Sequence, residues 1–160
     1  MNNKKPLALG FTLIEILIYS ALIAMIISGS LIAVYQIIEG SASIQNKIIT
    51  EQEANFLLSK IKWALTGATT INIPTVGLAS STLSINKANY SENPIVFDLN
   101  SNNLRIKQGA GNPAILNSQN VAINNLIFEH LATSGSGPEG LKINITINNK
   151  LFATTIYLRK

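Results

Sequence analysis

Apolar side chains fill an early stretch of the chain almost without interruption. From Phe11 to Ile38 every residue is apolar, small or uncharged polar except Glu15. A run longer than about 18 such residues predicts a membrane-crossing helix. Its 28 residues would extend about 42 Å as a helix, against about 30 Å of hydrocarbon, so the helix tilts or protrudes. Ser28-Gly29-Ser30 is the weak point of the run, readable as a functional bend or as a small-residue packing face.

Beyond Glu39 the helical period persists while the composition changes. Ile44, Ile48, Phe56, Leu57, Leu58, Ile61 and Leu65 recur at three- and four-residue spacing, with Lys47, Glu51, Glu53, Lys60 and Lys62 on other faces. This predicts an amphipathic helix that stops near Gly67. Gly40 is a candidate break, but no proline accompanies it, so one helix is expected from about Phe11 to about Thr66. Trp63 lies on its amphipathic part, where packing is the simplest role.

From Ala68 onward the period changes to two. Ile71 and Ile73, Leu83 and Ile85, Ile95, Phe97 and Leu99, and Leu104 and Ile106 alternate with polar residues, as strands with one buried face do. Asn100-Ser101-Asn102-Asn103 reads as a hairpin turn. Leu141 to Ile147 and Leu151 to Leu158 form a second hairpin, with Asn149-Lys150 as its turn. Val121 to Leu131 mixes both periods and is read as strand. The buried helix face and the apolar strand face each need a cover, so the expected class is α+β, a long helix on an antiparallel sheet. The segments are 1–10 as a leader, 11–39 as membrane helix, 40–66 as its amphipathic continuation and 67–160 as a β-rich head.

The chain has no Cys, which excludes disulfides, thiolate metal sites and thiol nucleophiles. Its formal charge of +4 divides unevenly. Lys4 and Lys5 lie in the leader, and from Gly40 onward ten basic residues face six acidic ones. That excess is scattered; Arg105 with Lys107 does not make a nucleic-acid stripe. The basic pair ahead of the apolar run keeps the amino end in the cytoplasm and sends the head outward.

Glu15 is the anomaly. A carboxylate inside an apolar run costs about 2.5 to 3.5 kcal/mol at a helix centre and less near an end, so a partner is expected. Near a helix start the positive end of the helix dipole is one candidate.

Lys4-Lys5 followed by Gly10-Phe11-Thr12-Leu13-Ile14-Glu15 and a long apolar helix resembles the leader and amino-terminal segment of type IV pilins and type II secretion pseudopilins. The resemblance covers Lys4 to about Ile38. It implies cleavage after Gly10 by a prepilin peptidase and N-methylation of the new terminus at Phe11. It also implies pairing of Glu15 with the terminal amine of a neighbouring subunit during assembly. The implied partners are that peptidase, other pilin or pseudopilin subunits, an inner-membrane assembly platform and the lipid bilayer. The implied location is the inner membrane, N-in and C-out, and then a periplasmic or cell-surface filament.

The departures from the family are informative. The apolar run has no proline, the chain has no Cys for a carboxy-terminal disulfide loop, and Asp98 and Glu92 are too isolated for a calcium site. These point to a minor subunit. Pro94 to Leu99, Leu104-Arg105-Ile106 and Val121 to Phe128 are also similar to the sheet region of the large minor subunits that help to start a filament. DNA uptake stays open as a role for such a subunit.

No catalytic set is expected, and no cofactor or metal. His130 is the sole histidine, and beside Glu129 on a strand the two point to opposite faces. Gly109-Ala110-Gly111 and Gly135-Ser136-Gly137-Pro138 lack the lysine and hydroxyl of a phosphate loop. Asn144-Ile145-Thr146 matches a glycan acceptor pattern. The alternative to a filament subunit is a single-span anchored protein whose outer domain binds a ligand; an anchored enzyme ranks third.

Overall fold

The computed structural model describes residues 10–133 and 137–158. The leader up to residue 9, with Lys4 and Lys5, lies outside the described residues, as do Gly135 and Ser136. Among the described residues one helix, α1 (Leu13–Leu65), is followed by nine strands: β1 (Ala68–Ile73), β2 (Ala79–Ser80), β3 (Leu83–Lys87), β4 (Ile95–Asn100), β5 (Asn103–Gln108), β6 (Ala114–Ile115), β7 (Ile123–Leu131), β8 (Gly140–Ile147) and β9 (Lys150–Tyr157). The chain divides into two compact units, residues 1–46 and 47–160, with the boundary inside α1.

In the first unit the helix is exposed on every side from Phe11 to Ile38 apart from the partly covered Glu15. It is not interrupted at Gly29 or Gly40. The hydroxyls of Ser28 and Ser30 donate to the carbonyls of Ala24 and Ile26 at 2.6 and 2.8 Å, so neither needs an outside partner in an apolar medium. A Cβ on Gly29 would meet nothing within 4 Å. The triplet is therefore an open, small-residue face on an unbroken helix.

In the second unit the end of α1 covers two antiparallel sheets rather than one. Their orders are β1-β3-β4-β5-β6 and β2-β7-β8-β9. The single sheet expected from alternation is corrected by β2, two residues that leave β1 behind and pair with Ser80 opposite Phe128. So short a strand leaves almost no periodic signal. Both inner faces meet the helix in one apolar cluster that includes Leu57, Ile61, Phe97, Leu104, Phe128 and Ile143.

The buried helix face also differs from the expected one. Thr50, Ala54, Leu57, Ile61 and Ala64 are buried, whereas Ile44, Ile48 and Phe56 are exposed. Two small alanines on the seam let α1 approach the sheets closely, and hydrophobicity alone overlooks them. The helix ends where expected: the N–H of Thr66 reaches the carbonyl of Lys62 at 2.9 Å, and Gly67 takes φ +78°, the left-handed step that stops a helix.

The turns follow their asparagines. Ser101-Asn102 and Asn148-Asn149 have both central residues at positive φ, which closes two-residue hairpins matched to strand twist. The second turn is thus one residue earlier than expected, and Lys150 belongs to β9, where it pairs with Ile147. Lys150 also reaches Glu51 at 2.7 Å, and this hydrogen bond and charge hold the Glu51 carboxyl below its ordinary range. In β7 a register shift between Ile123 and Asn125 puts Ile123, Leu126 and Phe128 all inside. That bulge is why Val121 to Leu131 mixes two periods.

Asn117 completes the ladder beyond β6. Its Oδ1 accepts the N–H of Leu104 at 2.8 Å, and its Nδ2 donates to Asn103 Oδ1 at 3.1 Å and to the Val121 carbonyl at 2.9 Å. The side chain is buried, so removing it strands several polar groups from water. Asn117→Ala is expected to lower the unfolding free energy by about 2 to 4 kcal/mol. Urea titration checks this; a loss under about 0.5 kcal/mol would contradict it.

Candidate functional site

The first turn of α1 collects the residues singled out by the sequence. Gly10 and Phe11 precede the helix in an exposed, non-helical segment, with Phe11 73% exposed. The Gly10–Phe11 bond is therefore reachable by another protein. A Cβ on Gly10 would touch nothing within 4 Å, so any demand for glycine there comes from an outside partner.

Glu15 is turned back on its own helix start. Its Oε2 accepts from the backbone N–H and the hydroxyl of Thr12, both at 3.3 Å, and its Oε1 accepts from the Tyr19 hydroxyl at 3.5 Å. The N–H groups of Glu15 and Ile16 reach the Thr12 carbonyl at 3.1 and 3.3 Å. Thr12 thus stands at the cap position with Glu15 three residues on, and the Glu15 carboxylate makes the back-reaching half of a capping box. The helix dipole adds its positive end at the same place. All three contacts to the carboxylate are longer than ordinary hydrogen bonds, so Glu15 is positioned without being saturated.

Thr12 and Tyr19 are the two residues that apolar periodicity overlooks. The spacing Thr-x-x-Glu before an apolar run carried the signal for Thr12; nothing in the sequence singled out Tyr19 beyond its four-residue step from Glu15.

The remaining candidates belong to the second unit. His130 is buried, with Nδ1 2.9 Å from the Pro74 carbonyl, so Nδ1 carries the proton of that bond. Its Nε2 lies 3.9 Å from Glu139 Oε2. Glu129, on the opposite face, pairs instead with Lys142 at 3.4 Å. Trp63 has Lys87 Nζ 4.3 Å over its ring and Tyr90 edge-on at 6.2 Å. Arg105 is engaged by Asp98, its cross-strand neighbour, through two bonds of 2.8 and 2.7 Å. Asn144 lies within β8 rather than in a loop. Gly109, at φ +52°, closes a turn against the backbone of Glu92. Among the described residues no three His, Asp or Glu side chains gather as metal ligands.

No family model matches the chain, and no curated protein or solved structure matches it significantly.

Proposed function

We propose that this chain is a minor pilin or pseudopilin, a structural subunit that helps to initiate or build a type IV pilus-like or type II secretion filament. The observation that carries the reading is the register of Gly10-Phe11-Thr12-Leu13-Ile14-Glu15 with the start of a helix at Leu13 that stays exposed and apolar through Ile38. A helix apolar on all sides needs lipid or other helices around it, and the helix is long and apolar enough to cross a membrane. A precursor held N-in and C-out, then cut after Gly10, would exchange lipid for neighbouring helices as it joins a filament.

Glu15 supplies the registration step in this reading. Cutting before Phe11 creates an amine, and a neighbour's amine can replace the long Thr12 and Tyr19 contacts with a shorter bond in which donor and acceptor are both charged. In a lipid-like medium that pair also relieves the cost of an isolated charge. The capping box holds the carboxylate at the helix start until then.

A structural rather than catalytic role fits the side chains. The sole histidine spends Nδ1 on Pro74, and Asp98, Glu129 and Glu51 are each engaged by one arginine or lysine.

Mass spectrometry of the protein purified from its own cells is expected to find a chain beginning with N-methylated Phe11. An intact Met1 end would overturn the proposal and favour a single-span anchored binding protein.

A further inference from the structure

The two sheets have four edges, and three are short or irregular. β2 and β6 are two residues each, and β1 has register shifts at both ends of its pairing with β3. β9 differs: it pairs with β8 through eight consecutive partners without a bulge, and from Leu151 to Leu158 it carries no charge and no proline. Soluble proteins blunt such edges because a long, flat, uncharged strand recruits another. β9 is left unblunted.

Strand geometry identifies which groups it offers. The N–H of Leu158 donates to the Glu139 carbonyl at 2.8 Å, so by alternation Ile156, Thr154 and Phe152 also point their backbone groups at β8. The N–H and C=O groups of Leu151, Ala153, Thr155 and Tyr157 then point away from the sheet. Beside this edge runs a groove of about 400 Å³ between β9 and the end of α1, walled by Asn55, Leu58 and Lys62 on the helix and by Thr154, Ile156 and Tyr157 on the strand. Lys62 continues into a second depression of about 470 Å³ toward Gly67. It is exposed and, among the described residues, has no carboxylate partner and is the one charged side chain that lines the groove.

We propose that β9 and this groove dock an extended segment of another protein chain, which adds to the sheet as a strand and sets an acidic side chain on Lys62. Main-chain pairing supplies affinity, and the side chains that alternate into the groove supply selectivity. A second copy of β9 fits less well, because Leu151 to Leu158 has no carboxylate to offer Lys62. The surface lies wholly in the second unit and does not depend on the role given to the apolar half of the helix.

The test uses the full chain in detergent micelles and a fluorescent, end-capped octapeptide alternating valine with glutamate and threonine, beside its lysine-for-glutamate counterpart. The glutamate peptide is expected to bind saturably and to slow amide exchange at Leu151, Ala153, Thr155 and Tyr157, while Phe152, Thr154 and Ile156 are slow from the start. Thr155→Pro removes an outward N–H without touching the β8 ladder and is expected to weaken binding about tenfold at an unchanged unfolding midpoint. Lys62→Glu, on the exposed helix surface, is expected to reverse the peptide preference and keeps the backbone intact. No saturable binding, equal affinity for both peptides, or indifference to both substitutions overturns the proposal. Self-association abolished by Thr155→Pro, with no peptide bound, would assign the edge to a second copy instead. None of these outcomes bears on whether Phe11 is methylated.

Discussion

Under the proposed filament-subunit reading, Glu15→Ala is expected to leave the chain in the membrane and remove it from the filament. Insertion is spared because deleting a carboxylate from an apolar run takes away part of a cost of up to about 3.5 kcal/mol. Assembly suffers for the opposite reason. A neighbour's amine that had paired with Glu15 would stay unpaired in a low-dielectric bundle, which costs about 3 to 5 kcal/mol when the pair is buried. At about 1.4 kcal/mol per factor of ten, incorporation should fall by about two to three and a half orders of magnitude. The capping box complicates this, since alanine also removes the contacts to Thr12, worth about 0.5 to 2 kcal/mol. Glu15→Gln separates the two roles: its amide oxygen still accepts from the Thr12 N–H, but it brings no charge. The measurement is the ratio of subunit in sheared filaments to subunit in the membrane fraction. Glu15→Gln should assemble as poorly as Glu15→Ala, and normal incorporation of the glutamine variant would reduce Glu15 to a helix cap.

The parts of the fold that could be read from the sequence are those where one physical signal dominates. Phe11 to Ile38 is apolar on all sides, and β8 alternates Leu141, Ile143, Ile145 and Ile147 inside with polar residues outside; a single period suffices for each. Where signals compete, the reading was wrong or incomplete. The seam of α1 includes Ala54 and Ala64, which contribute through small size, while Phe56 is exposed and lies under Lys60 Nζ, 5.7 Å from its ring centroid. β2 and β6 owe their place to pairing partners far along the chain, which no local pattern records. The bulge near Asn124 breaks alternation at the start of β7, a strand that is otherwise regular.

The candidate site divides in the same way. Gly10, Phe11 and Glu15 stood out by type and spacing, because a carboxylate in an apolar run is conspicuous without any structure. What Glu15 touches was not conspicuous. Thr12 looked like a neutral member of the run until the helix start at Leu13 made it a cap, and Tyr19 acquired a role only through its 3.5 Å contact. The β9 edge was invisible for a deeper reason: whether a strand lies at an edge depends on sheet order, and a chain that reads Leu-Phe-Ala-Thr-Thr-Ile-Tyr-Leu would suit the middle of a sheet equally well.

Phe128→Ala is expected to be the most damaging single change in the head. The ring is fully buried, on a strand flanked by β2 at Ser80 and by β8 at Ile143, and belongs to the one cluster that joins both sheets to the helix. Truncating a buried phenylalanine loses its transfer free energy and leaves a cavity, about 3 to 5 kcal/mol together. Against a total of about 5 to 15 kcal/mol for a domain, that is roughly a fifth or more of the stability. Collapse around the hole is resisted, because Phe128 sits between two hydrogen-bonded neighbouring strands that hold its backbone in place. The readout is built in: Trp63 is the sole tryptophan, packed edge-on to Tyr90 in the head, so its fluorescence follows unfolding of this unit. The melting temperature should drop by roughly 10 to 20 °C. Leu151→Ala, at a side chain 64% exposed, should change stability by less than about 0.5 kcal/mol. A loss under about 1 kcal/mol for Phe128→Ala would mean that the two sheets do not share a packed core at this ring.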